Sequence, residues 1–181
     1  MMNIEQLYQQ EIKQSEIDHK TPTAGAMTGH IVANLQIFEQ KVQQIKWYYV
    51  GSNKISISEH LQKLLYDIVK FKDQLGDTLL DELELVPSTS QEFVEYTMLK
   101  EDSKIKYMSN SEMFKILAED IQTNMMFITR AVKLAETEDL VNLESSLVDL
   151  LKYSKRELRL LKAQANITMM ELKTELSDEE N

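Results

Sequence analysis

Two aspartates four residues apart, Asp73 and Asp77, are the pair in this sequence best placed to do chemistry. On a helix that spacing puts both carboxylates on one face, where they either hold a cation or are simply solvated. The chain has no Cys, so thiolate metal sites, disulfides and Cys nucleophiles are excluded. Metal chemistry must therefore draw on carboxylates and three histidines, His19, His30 and His60. Imidazoles are also ordinary hydrogen-bonding groups, which is the preferred reading of His30 and His60. Four further acids, Glu39, Asp67, Asp120 and Glu157, are spread along the chain, while Glu138, Asp139, Glu144 and Asp149 crowd one stretch. The ten Met, Met125 and Met126 among them, are read as filling core gaps.

These side chains belong to a sequence of 181 residues that is 43% apolar, enough for one domain with a full core. It holds only four Gly and two Pro, far below the averages of about 7% and about 5%. Sandwiches, barrels and α/β folds need turn residues at many points, so the expected class is all-α. Lys and Arg number 20 against 30 Asp and Glu, a net charge of −10. That excludes a coat of positive charge, the usual footprint of a nucleic-acid binder, though not a local basic or flexible contact element. No basic region followed by an apolar run opens the chain, so no secretory leader is expected. The longest uncharged stretch, Thr21 to Phe38, contains His30, Asn34 and Gln36 and is no membrane span. A soluble, cytoplasmic protein is the expectation.

Helical periodicity organises the chain into long blocks. From Thr28 to Val50 the apolar residues Ile31, Leu35, Phe38, Val42, Ile45 and Tyr49 form the stripe of a bundle helix. A second block, about Ser58 to Leu85, carries Leu61, Leu64, Leu65, Ile68, Leu75, Leu79 and Leu83, with a capping-box pattern at Ser56 and Glu59. Pro87 is expected to end it, and Ser88 with Gln91 offers a second box before a short segment, Gln91 to Leu99. Ser109 and Glu112 form a third, opening a helix from about Asn110 to Glu136. The last long helix is expected to begin near Asp139. Four long helices with a short one between the second and third describe a four-helix bundle with one long crossover, the ferritin-like arrangement. The expected organisation is an N-terminal helical extension at 1–20, a linker at 21–27, the bundle at 28–166 and an acidic C-terminal tail at 167–181. Glu39, Asp67, Asp120 and Glu157 then fall on four different helices. No Glu-x-x-His pair, the usual partner of such acids in a bundle metal site, lies within 28–166.

The stretch from Trp47 to Tyr96 resembles the Dps family, ferritin-like proteins of stressed bacteria that shield DNA and store iron. The family pattern has a His-Trp-Tyr on the first helix, a nearby Gly, a Leu-His opening the second, then an Asp and a Glu four residues apart. A Pro and a short helix with a Thr-x-x-Glu-like start follow. Trp47, Gly51, Leu61, Leu64, Asp73, Pro87 and the Glu95-Tyr96 pair fit that layout. In the family, a ferroxidase site lies between two subunits and is built from His, Asp and Glu. Carried over without a gap, its positions fall on Lys46, Ser58, Asp73 and Asp77. Both imidazoles are lost, and a Lys offers only donors and a positive charge, whereas iron(II) needs neutral imidazole or carboxylate oxygen. The resemblance therefore implies a degenerate site, with Asp73 and Asp77 as remaining metal candidates and Lys46 as a cation that would pair with them across a two-fold interface.

Other expectations come with the resemblance. Glu138, Asp139, Glu144 and Asp149 fall where the family has a three-fold pore for iron, with Glu144 and Asp149 preferred, or they are a solvated helix face. The implied assembly is a dodecamer, the implied partners are DNA and iron ions, and the expected location is nucleoid-associated cytoplasm. The N-terminal extension, through Lys13 and Lys20, is the expected DNA contact, although Glu5, Glu11, Glu16 and Asp18 make it net negative. The alternative is an active ferroxidase that stores iron through a relocated or carboxylate-only site inside each bundle.

Overall fold

The computed structural model describes residues 3–179, with the side chains of 15, 16, 18, 19 and 175–179 outside the description. Among the described residues there are seven α-helices and no strand. They are α1 (Ile4–Lys20), α2 (Ala24–Tyr48), α3 (Lys54–Asp81), α4 (Ser90–Tyr96), α5 (Asn110–Thr137), α6 (Val141–Gln164) and α7 (Met169–Glu179). A 3₁₀ turn, Ser103–Tyr107, precedes α5. Helices α2, α3, α6 and α5 pack in a ring, each touching its two neighbours, while α4 and the 3₁₀ turn lie on α2. This is the expected all-α, ferritin-like bundle with a crossover between its second and third long helices.

The stripe of α2 explains why the ring closes. Ile31, Leu35, Phe38, Val42, Ile45 and Tyr49 are all buried, meeting Leu61, Leu64, Ile68, Leu117, Ile128, Leu147 and Leu158 from the other three helices. Each such burial contributes roughly 1.5–3 kcal/mol, far more than any difference in helix propensity.

Several helix ends differ from expectation, and local chemistry gives the reasons. Helix α2 starts at Ala24, four residues before Thr28, because the Thr23 hydroxyl accepts from the Ala26 amide. Gly25 therefore lies inside the first turn, where a Cβ would meet the Glu84 side chain at 2.4 Å. At the start of α3, Ser56 donates to the Asn53 carbonyl, so Ser56 and Glu59 form no capping box. Helix α3 ends at Asp81, well before Pro87. Leu83 there takes a left-handed φ of 63° and is 93% exposed, outside the stripe assigned to it. The box before α4 is Thr89 with Glu92, one residue beyond the expected Ser88–Gln91 pair. Burial of Glu92 works against ionisation, but amides and hydroxyls of Ser88 and Thr89 donate to its carboxylate and hold its pKa below the usual range. Ser109 and Glu112 form their box as expected. Helix α6 opens at Val141, after Asp139 has turned the chain with φ of 58°.

The two ends contrast with the bundle. Helix α1 is capped by Asn3 and Gln6, yet Ile4, Leu7, Tyr8, Ile12 and Ile17 stay exposed. The acidic tail contains α7, opened by Thr168 with Glu171 and anchored by buried Leu172. Glu180 and the side chains of Glu16, Asp18, His19, Glu175, Asp178 and Glu179 lie outside the described residues.

Candidate functional site

Within one subunit the four positions singled out above separate into two pairs. Lys46, near the end of α2, donates to Gln62 Oε1 on α3, and with Ser58 it lines an open hollow that also includes Glu59, Lys63 and Tyr66. Asp73 and Asp77 lie farther along α3, exposed, with no hydrogen bond or ion pair among the described residues. Ser58 and Asp73 are fifteen residues apart in one helix, a separation of about 22 Å. A site uniting both pairs thus requires a second copy of the chain. The Lys46 hollow suits such a neighbour, since Ile55 and Tyr66 in its wall are exposed apolar groups, and Trp47, Tyr48 and Val50, which follow Lys46 in the chain, are exposed as well.

Inside the ring, the acids on four helices do not converge. Asp120 pairs with Lys41 at 2.5 Å, both buried; Glu157 Oε2 accepts from His60 Nε2 at 2.9 Å. Glu39 pairs with Lys72 at 2.6 Å and Asp67 with Lys63 at 2.5 Å. Among the described residues no group of three or more His, Asp and Glu is placed to hold a metal ion. Burial pushes the Asp120 pKa up despite the opposing Lys41 ammonium, and nearby Glu119 adds to the rise. The Tyr153 hydroxyl is buried without a hydrogen-bond partner, and burial followed by the negative field of Glu157 keeps its proton on. Lys41 is the functional residue that the periodicity analysis missed. Its signal was a charged residue three after Phe38 and four before Ile45, inside the apolar stripe.

The remaining candidates are dispersed. Glu138 is engaged within its own subunit: its carboxylate accepts from the Ala24 amide at 3.0 and 3.2 Å, capping the start of α2, where negative charge is favoured. Asp139 forms the turn. Glu144 is half-buried in the first turn of α6, and exposed Asp149 is bridged to Lys152 at 3.1 Å. Five residues apart on one helix, Glu144 and Asp149 differ by about 140° in direction, so they do not share a face. His30 Nδ1 lies 2.7 Å from the Tyr96 carbonyl and its ring meets Tyr96 edge-on, the ordinary hydrogen-bonding role. Met125 packs on the core, but Met126 is 69% exposed and fills no gap. Lys13 and Lys20 are exposed on α1. The same helix carries a Glu-x-x-His pair in its sequence, Glu16 and His19, whose side chains lie outside the described residues.

No family model matches the chain. Over 72 residues it is 33% identical to the DNA protection during starvation protein of Listeria innocua, a stretch spanning about half, 46%, of that protein. It superposes on the DpsB protein of Lactococcus lactis with a TM-score of 0.87 and 35% identity, covering 92% of this chain and 96% of that one. The chain belongs to the Dps family. The DpsA protein of Lactococcus lactis gives the same TM-score at 30% identity, over 93% of this chain and 99% of that one. Dps from Listeria monocytogenes, 21% identical with a TM-score of 0.78 over 82% of this chain and 96% of its own, shares the fold.

Proposed function

We propose that this Dps-family chain builds a closed shell of about twelve subunits that binds and protects DNA and sequesters iron in the cytoplasm, without the family's usual ferroxidase ligands. The observation carrying this reading is the split on α3. Ser58, beside Lys46 of α2, and Asp73 lie about 22 Å apart along α3; Lys46 and Ser58 are half-buried beside an open hollow and Asp73 and Asp77 are exposed, which leaves both pairs open to completion by another subunit. In the shell, Lys46 of one subunit approaches Asp73 or Asp77 of its two-fold neighbour and takes the position that the family gives to metal. Iron is then cargo, admitted at a three-fold axis by Glu144 or Asp149, whichever of the two faces it, where one acid becomes three and focuses cations. Inside the bundle Asp120, Glu39 and Asp67 each have a lysine partner and Glu157 is bonded to the His60 imidazole, which disfavours a relocated oxidation site there.

DNA contact is assigned to α1, the helix the bundle does not need, through Lys13 and Lys20. One copy is weak because its net charge is negative, but many copies around a shell gain by multivalency. Light scattering at neutral pH should give a mass of about twelve subunits, and a stable monomer or dimer would defeat the assembly. Deleting residues 1–20 should leave the number of subunits unchanged while weakening a salt-sensitive gel shift. An unchanged shift would remove α1 from the account.

A further inference from the structure

Between α1 and the bundle lies a cavity of about 300 Å³, lined by the first two turns of α2, the crossover after α3, α4, and Glu11 and Gln14 of α1. That volume is at the lower end of the range for small-molecule sites, about 300–1,000 Å³. Most of the wall is apolar, with Met27, Leu85, Val86, Pro87 and Tyr96 contributing. His30 donates from Nδ1 to the Tyr96 carbonyl at 2.7 Å and the two rings meet edge-on, so an imidazole and a phenol are held together in one wall.

The polar part of the lining carries one sign of charge. Glu11, Glu84 and Glu92 contribute carboxylates, and among the described residues no Lys or Arg lines the cavity. A Cβ at Gly25 would meet the Glu84 side chain at 2.4 Å, so glycine is what lets that side chain lie against the first turn of α2. Glu84 is half-buried there, where a carboxylate attracts a cation more strongly than in open water. Glu92 already serves the start of α4. The start of α2 would favour an anion, but Glu138 already answers it at the Ala24 amide. An anion entering the cavity would therefore meet carboxylates and no cation. A wholly apolar guest would bury the Glu84 carboxylate without compensation. A bare metal ion is not suited either, since among the described residues no three His, Asp or Glu are placed to hold one.

We infer that this cavity binds a small organic cation, an ammonium group on an apolar or aromatic body. Glu84 receives the ammonium, Glu11 adds negative charge from the α1 side, and Met27, Val86 and Pro87 enclose the body. The Tyr96 ring adds the attraction of an aromatic face for a cation.

The test uses the full-length assembled protein and three probes that share one body and differ in the head: phenethylamine, an ammonium at neutral pH, phenethyl alcohol and phenylacetate. Titration calorimetry at neutral pH should show phenethylamine binding about tenfold or more tighter than the alcohol, and no binding of phenylacetate. Glu84→Gln keeps the shape and removes the charge. It should lower phenethylamine affinity about fivefold or more and leave that of the alcohol unchanged. Ala26→Phe puts a ring into the cavity from a half-buried position, and should abolish binding of both while melting and subunit number stay unchanged. The comparison of heads on the wild-type protein stands even where a substitution disturbs folding. No phenethylamine binding at about 10 mM, or equal affinity for the three heads, overturns the inference. So does unchanged phenethylamine affinity in either folded variant.

Discussion

Lys41 and Lys46 leave the same helix five residues apart and meet opposite environments. Lys41 is buried in the ring on the Asp120 carboxylate; Lys46 is half-buried at its edge on the neutral Gln62 amide. The first lysine answers a charge that its own subunit supplies, so removing either member strands the other away from water. The second has donors left over at a margin with exposed aromatic groups, and among the described residues no carboxylate of its own subunit answers its charge. The difference separates what holds one bundle together from what bundles offer one another.

The largest effect should come from breaking the inner pair. Lys41→Met leaves Asp120 buried without its cation and should cost about 3–5 kcal/mol in urea unfolding at fixed protein concentration. A second change, Asp120→Leu, should restore most of that, since an apolar pair of similar volume often matches a buried ion pair. The folded Asp120 pKa already lies above its ordinary 3.8, and losing Lys41 raises it further. A raised carboxylate pKa penalises folding above the folded value, and the penalty disappears as pH falls below 3.8. The gap between wild type and Lys41→Met should therefore be widest near neutrality and close in acid. A gap independent of pH would mean that Asp120 is not the group left stranded.

At the margin, Lys46→His combined with Ser58→His should supply the two imidazoles that the family layout expects beside Asp73 and Asp77. Iron(II) oxidation followed by stopped flow should then accelerate about tenfold, worth roughly 1.4 kcal/mol, with little change in the melting of the bundle. Iron bound by Asp73 and Asp77 in the unmodified protein would sink the ion-pair account of this site. The smallest effect belongs to Lys46→Ala. Water reaches this lysine, so its loss should cost no more than about 1 kcal/mol, read as a small drop in shell dissociation temperature. A loss as large as that of Lys41→Met would erase the distinction between the two lysines.

Helix identity was legible because the apolar spacing of α2, α3, α5 and α6 follows burial from Ile31 to Leu161, with Leu83, beyond the end of α3, the clear exception. Ends were less legible, since they are decided by single hydrogen bonds. Thr23 rather than Gly25 sets the start of α2, and Ser56 turns its hydroxyl back to Asn53 instead of capping. The 3₁₀ turn and α7 had no apolar period long enough to announce them. Of the site, the i, i+4 geometry of Asp73 and Asp77 could be read, because it is local to one helix. Partner choice could not. Glu138 and Ala24 lie 114 residues apart, and His60 and Glu157 97 apart. No spacing rule connects such pairs.

The clamp that Glu138 places on Ala24 has a mechanical consequence. It pins the root of α2 to the α5–α6 turn, with the Thr23 cap immediately before it. Only residues 21–23 lie between that anchor and α1, a strap of about 10 Å at full stretch. Helix α1 itself, 17 residues, is a rod of about 26 Å. The far end of α1 therefore lies no more than about 36 Å from Ala24, so any partner that α1 holds is kept within that distance of the bundle.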